Sequence, residues 1–201
     1  MDFAFVKGFA ASGALIVAIG AQNSFVLRQG IRREHVLAVV LVCALSDALL
    51  ITLGVAGLGT LVQGQPTLLA VARWGGAAFL AVYGTLAAWR AFGTARLHAA
   101  GGASTSLRAA VTTCLAFTYL NPHCWLDTVV LLGSISAQQP TGSRAAFGVG
   151  ATAASFVWFF ALGYGARGLR GLFERPPAWK MLDAAIALVM WAIAASLLFG
   201  R

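Results

Sequence analysis

Between Asn121 and Asp127 an otherwise apolar run carries Asn121, Pro122, His123 and Asp127. The full stretch, Phe117 to Gly133, reads FTYLNPHCWLDTVVLLG and is apolar enough to lie in a membrane. An acid in lipid is costly, and proline removes an N–H and clashes with the carbonyl four residues earlier. Freed carbonyls can accept bonds from an ammonium group, and the start of a resumed helix attracts a carboxylate. The Gly20–Ser24 stretch, with Gln22 and Asn23, offers a similar place. A second acid, Asp47, lies in another apolar run, VCALSDALLI. Two embedded acids with no embedded Lys or Arg between them leave negative charge that a bound cation or protons can compensate. A zwitterion needs both kinds of partner, and a cationic side chain needs an acid as well. The constellation therefore suits an amino acid with a basic side chain, with Asp47, Asp127, Asn121, Pro122, His123, Asn23 and Gln22 as substrate-binding or proton-coupling residues.

Several of these groups have blander readings. An embedded acid can be neutralised or paired and serve only packing. His123 and Asp127 are spaced i, i+4, so a helix resumed after Pro122 puts them on one face. They then form either a proton relay or a packed pair in which His123 meets a backbone carbonyl. Further ligands at metal spacing are not seen, so no metal and no cofactor is expected. Asp183 starts the last apolar segment beside Lys180 and Trp179, which reads as an interfacial salt bridge rather than a substrate contact. The three cysteines, Cys43, Cys114 and Cys124, read as small apolar residues inside helices.

The elements that must hold these residues are long apolar segments. The chain has 201 residues, of which 60% are hydrophobic and only 10% charged, with mean hydropathy +0.83. A soluble domain carries about 25% charged residues. We therefore expect an all-α integral membrane protein with six transmembrane helices. They run over about residues 3–27, 36–62, 67–92, 109–137, 144–166 and 179–199, each near the ~20 residues that a bilayer requires. The first is read as a retained helix rather than a signal peptide, because it begins without a basic n-region. Asp47 lies ~17 Å into its span at 1.5 Å per residue, and Asp127 ~15 Å from the end of its own. Both can sit near the bilayer midplane. Breaks are expected near Asn23 and at Asn121-Pro122.

The basic residues fall mainly between spans: Arg28, Arg32 and Arg33; Arg90, Arg96 and Arg108; Arg167, Arg170, Arg175 and Lys180. The second and fourth loops, near Pro66 and Pro140, are nearly uncharged. Lys and Arg favour the cytoplasm, so the first, third and fifth loops are expected inside and both termini outside. The third loop, 93–108, divides a single transporter domain over 1–201 into halves of about 1–95 and 107–201. Three helices per half is an odd number, so the halves would be inverted repeats. The net charge of +8 is then a matter of topology and anionic lipid headgroups. No aromatic-interleaved basic patch for nucleic acid is seen. The stretch Gly163–Gly168 matches GxGxxG, but it ends an apolar span rather than opening a βα unit. No Walker A, HExxH or GxSxG pattern occurs, so no enzyme activity is expected. Glycines such as Gly54, Gly57, Gly59, Gly75 and Gly76 suit close helix packing, and such faces permit a homodimer without requiring one.

Two longer signatures resemble a known family. Gly20 to Gly30, GAQNSFVLRQG, followed by IRREHV, resembles the first signature of the lysine/arginine exporter (LysE-type) family. Tyr119–His123 with Leu126–Ser134 resembles the second, and Ser46-Asp47-Ala48 matches the family's acid in the second helix. The resemblance covers essentially the whole chain. It implies a secondary exporter of L-arginine and/or L-lysine in the bacterial inner membrane, driven by proton antiport, with Asp47 and Asp127 as substrate or proton sites. Substrate would enter from the basic side, and one half would rock against the other. The wider superfamily also implies an alternative, an exporter of neutral amino acids or an inorganic cation.

Overall fold

The computed structural model describes residues 3–17, 20–58, 66–92, 105–169, 171, 173 and 176–199. Among them the chain is helical, with no strand. Its first apolar segment is two helices, α1 (Phe3–Ile16) and α2 (Ala21–Arg32), bent by 82° at the break between them. Then follow α3 (Val36–Val55) and α4 (Pro66–Phe92). The fourth apolar segment is also divided. It comprises α5 (Leu107–Tyr119), α6 (Pro122–Trp125), a π-helical stretch (Leu126–Leu131) and α7 (Leu132–Ala137). Finally come α8 (Arg144–Gly165) and α9 (Pro176–Phe199).

Among the described residues, three stretches are by themselves long and apolar enough to cross a membrane: Val36–Val55, Thr141–Leu169 and Pro177–Phe199. The bent α1–α2 pair makes a fourth if it counts as one span. The loop 93–104 and residues 59–65 lie outside the described residues, so the linker between the expected halves and Gly59 do as well. Trp74 and Trp89 are exposed on α4, at 64% and 70%, as membrane-facing anchors would be.

Two expectations about charge are corrected here. Arg28 and Arg32 lie within α2, not in the first loop, and Arg90 lies within α4, not in the third. Arg28 is buried because it has a partner inside: it pairs with Asp183 of α9. Arg90 donates to the same Oδ1 at 3.2 Å. The expected ion pair of Asp183 therefore exists, but its partners are these arginines rather than Lys180, and its carboxylate is fully buried. Trp179 instead donates to the Phe173 carbonyl at 2.7 Å.

Helix packing uses glycine where backbones cross. α1 lies along α8, where a Cβ on Gly8 would meet the Phe147 carbonyl and one on Gly150 the Phe5 carbonyl. α3 crosses the π-helical stretch and α7 in the same manner. A Cβ on Gly54 would sit 2.7 Å from the Thr128 carbonyl oxygen, and one on Gly133 2.7 Å from that of Gly54. α4 packs along α9, and Gly76 faces the Leu120 carbonyl and Pro122 at the second break. Gly57 and Gly75 have open space around them, so close packing does not explain these two. Gly57 instead turns the chain after α3 with φ +93°.

The Gly54 contact gives a test. Backbone atoms cannot rotate away as a side chain can, so Gly54→Ala must push α3 off the π-helical stretch. Overpacking of this kind costs ~1–3 kcal/mol. A fall in the melting temperature of detergent-purified protein should accompany it. An unchanged melting temperature would mean the two helices separate freely.

Candidate functional site

Both breaks open onto one cavity of about 320 Å³. That is at the lower end of the ~300–1,000 Å³ typical of small-ligand sites. Its wall takes Ser12, Leu15 and Ile16 from the end of α1, and Gly20, Ala21, Gln22 and Asn23 from the start of α2. Asp47 comes from the middle of α3. Asn121, His123, Cys124, Asp127, Thr128 and Leu132 come from the second break and the helix after it, and Ile193 from α9. Of the seven residues expected to act, six line this space. Pro122 does not. It is buried at the first position of α6, where its missing N–H is no loss, and it packs against α4.

The acids differ in setting. Asp47 is only 5% exposed and accepts a 3.0 Å hydrogen bond from Ser155 of α8 at Oδ2. Asp127 is half-buried and sits at the start of the π-helical stretch. Among the described residues no Lys or Arg pairs with either, although the third buried acid, Asp183, has two arginine partners. His123 faces the cavity and is exposed, and among the described residues no hydrogen bond joins it to Asp127. The two side chains line the same cavity without a direct hydrogen bond between them. The chain widens into π geometry from Leu126, one residue before Asp127. Such single π turns occur often at functional sites.

The two asparagines line the cavity and also hold the breaks. Asn121 Oδ1 accepts from the His123 backbone N–H at 3.1 Å and so caps α6. Asn23 Nδ2 donates to the Ile16 carbonyl at 2.6 Å, across the break, while its Oδ1 accepts from Trp158 Nε1 at 3.1 Å. Trp158 thus has a positioning role that periodicity alone does not reveal. Gln22 is different. Its Oε1 accepts weakly from Cys124 at 3.9 Å, while its Nε2 is buried with no hydrogen-bond partner. Gln22 stands in the first turn of α2, whose N-cap, Gly20, supplies no side-chain cap. An uncapped helix start and an unpartnered amide donor together favour an anion.

Sequence reasoning missed Ser155, Trp158, Ser12 and Cys124. Serine and cysteine in apolar helices carry no signal of their own, since packing explains them equally well. Cys43 and Cys114 do pack, with their Sγ atoms 3.1 Å apart and buried. A separate groove of about 500 Å³ between α2, α3 and α8 is lined by Arg33, His35, Leu37, Leu41, Tyr164 and Arg167, and holds none of the expected residues.

The arrangement can bind a small molecule carrying an anion at one end and a cation at the other, inside an apolar helical bundle. Similar proteins are known. A protein of Mycobacterium tuberculosis named "Putative amino-acid transporter" is 48% identical over 180 residues, 90% of this chain and 89% of that one. The arginine exporter protein ArgO of Yersinia enterocolitica is 43% identical over 193 residues, 94% of this chain and 93% of its own. That of Serratia proteamaculans is 44% identical over 198 residues, covering 96% and 95%. No solved structure matches the chain. The model of the LysE type translocator family matches residues 13–201, and this establishes that the chain, with its broken apolar helices around one cavity, belongs to the LysE type translocator family.

Proposed function

We propose that this chain exports basic L-amino acids, arginine and lysine, across the bacterial inner membrane. One observation carries the reading. Two acids that no Lys or Arg among the described residues pairs with, Asp47 and Asp127, line the same cavity as the uncapped start of α2 and the buried amide of Gln22. The substrate carboxylate fits the α2 end, and its cationic groups fit the acids. The 43–44% identity to arginine exporters supports arginine as the leading substrate. Proton antiport fits carboxylates that are free to exchange a cation for a proton.

Six spans in two inverted halves, about 1–95 and 107–201, suit the packing. α1 lies on α8 as the α5-to-α7 segment lies on α3, while α3 meets α8 and α4 meets α9. Exchanging the halves maps this pattern onto itself, as an inverted repeat requires, and each half begins with a broken segment. Anionic lipid headgroups suit the outer groove, where Arg33 and Arg167 flank Leu37 and Leu41.

Purified protein in liposomes loaded with radiolabelled arginine tests the function. Efflux that unlabelled arginine or lysine inhibits, and that a proton gradient accelerates, is expected. Efflux inhibited only by neutral amino acids or by inorganic cations would replace the reading with the alternative export function.

A further inference from the structure

The cavity stops well short of the helix ends that carry Arg32, Arg33 and Arg167. Along α2 the order is Gln22 and Asn23 at the cavity, then Phe25, then Arg28. At 1.5 Å per residue Arg28 stands ~9 Å beyond Gln22. Along α9, Asp183 stands ten residues before Ile193, which lines the cavity, so ~15 Å away. Between these levels lies a layer of rings. Phe117 of α5 has its ring 5.6 Å from that of Phe25 and 4.8 Å from that of Tyr83. Phe25 and Tyr83 are 6.5 Å apart, edge to face. Phe117 is fully buried. The next layer outward is the charge cluster, in which Arg28 and Arg90 share Asp183. Tyr83 joins the two layers, because the Arg90 guanidinium lies 5.7 Å from its ring centroid.

We infer that these two layers are a gate. The ring layer of Phe25, Tyr83 and Phe117, latched by Arg28, Arg90 and Asp183, closes the cavity toward the end of the bundle that carries the basic turns, and this conformation has that end shut. The layers tie α2, α4, α5 and α9, so they join elements on both sides of the expected division between halves. A rocking motion of one half would pull them apart. Opening is cheap for a latch of this kind. A buried ion cluster adds little net stability, because desolvation offsets most of its attraction. Asp183 Oδ2 is already buried without a hydrogen-bond partner. A cationic substrate passing this level meets in Asp183 a carboxylate already placed for guanidinium groups, and can replace Arg90 there in transit. The gate's purpose rests on the export reading. The closure itself does not, and can be measured without any transport.

Cys124 lines the cavity and supplies the probe. In a Cys43→Ala, Cys114→Ala background, a membrane-impermeant maleimide is applied to right-side-out and to inverted vesicles. The otherwise unaltered protein should label from one side only. Tyr83→Ala removes the link between the layers and should raise labelling from the other side by about tenfold or more, equivalent to ~1.4 kcal/mol lost from the closed state. Arg90→Gln, on a side chain about one-third exposed, should do the same more weakly without threatening the fold. One-sided labelling in both variants overturns the gate, as does labelling of the unaltered protein from both sides or from neither. Failure of the export reading is distinguishable: arginine flux would be absent while the labelling pattern stood.

Discussion

Asp47→Asn should reduce arginine efflux from proteoliposomes by about 10- to 100-fold while leaving the protein folded. The residue is buried in the middle of α3 and faces the cavity, and Ser155 holds one of its oxygens. Asparagine keeps the size and can still accept from Ser155, so packing changes little. What disappears is the charge. A hydrogen bond to a charged group contributes ~1.5–3 kcal/mol, and each 1.4 kcal/mol is a factor of about ten in an equilibrium constant. Asp127→Asn should act in the same direction but less strongly, because Asp127 is half-buried and water screens its interaction. Ser155→Ala leaves the Asp47 charge in place and should cost less than Asp47→Asn. Efflux at the unaltered rate in both aspartate variants would remove these acids from the substrate or proton path.

The largest expected loss of stability belongs to Asp183→Ala. Asp183 is fully buried and pairs with both the buried Arg28 and the partly exposed Arg90. Removing the acid takes away the carboxylate that the buried Arg28 pairs with and leaves Arg28 and Arg90 as like charges side by side. Breaking a buried pair from one side costs ~3–5 kcal/mol. A strong fall in melting temperature is expected. Replacing the whole cluster with apolar residues, Arg28→Met, Arg90→Met and Asp183→Leu together, should recover most of it, because no buried charge remains. If the triple variant is no more stable than Asp183→Ala alone, the loss comes from shape rather than from charge.

These two acids mark how far the sequence could be read. Asp47 was legible because an acid inside an apolar run has few other uses. Asn121, Pro122 and Asp127 were legible because a helix cannot pass a proline with an Asn before it unchanged. α6 indeed starts at Pro122, with Asn121 as its cap. Asp183 was misread. Its neighbours in sequence, Lys180 and Trp179, suggested an interface, but its partners are 155 and 93 residues away in the chain. Arg28 and Arg90 were counted as loop charges for the same reason. Basic residues near helix ends look alike whether they face headgroups or an internal acid.

The site shows the same division. His123 and Asp127 line the cavity together without the hydrogen bond that their i, i+4 spacing allows, and the chain takes π geometry from Leu126. Close packing of Gly54 and Gly133 against the backbone beside that stretch accompanies the change, and nothing local announces it. Both asparagines were expected to serve the substrate. Both line the cavity, and the structure adds that they hold the breaks, Asn23 through Ile16 and Trp158, and Asn121 through the His123 N–H.

Composition and hydropathy alone therefore determined that the chain is helical and apolar. Isolated polar residues in those runs marked six residues that line the cavity, since a charge or a broken helix in lipid needs a local reason. Only the tertiary structure decided that α1, α2, α3 and the second break share one cavity, that Gln22 is buried in its wall, and that Asp183 is paired with arginines while Asp47 and Asp127 have no Lys or Arg partner among the described residues. Those outcomes depend on which distant helices cross. The crossings are set by backbone contacts at glycines such as Gly8, Gly54, Gly133 and Gly150, whose partners are tens of residues or more away in the sequence.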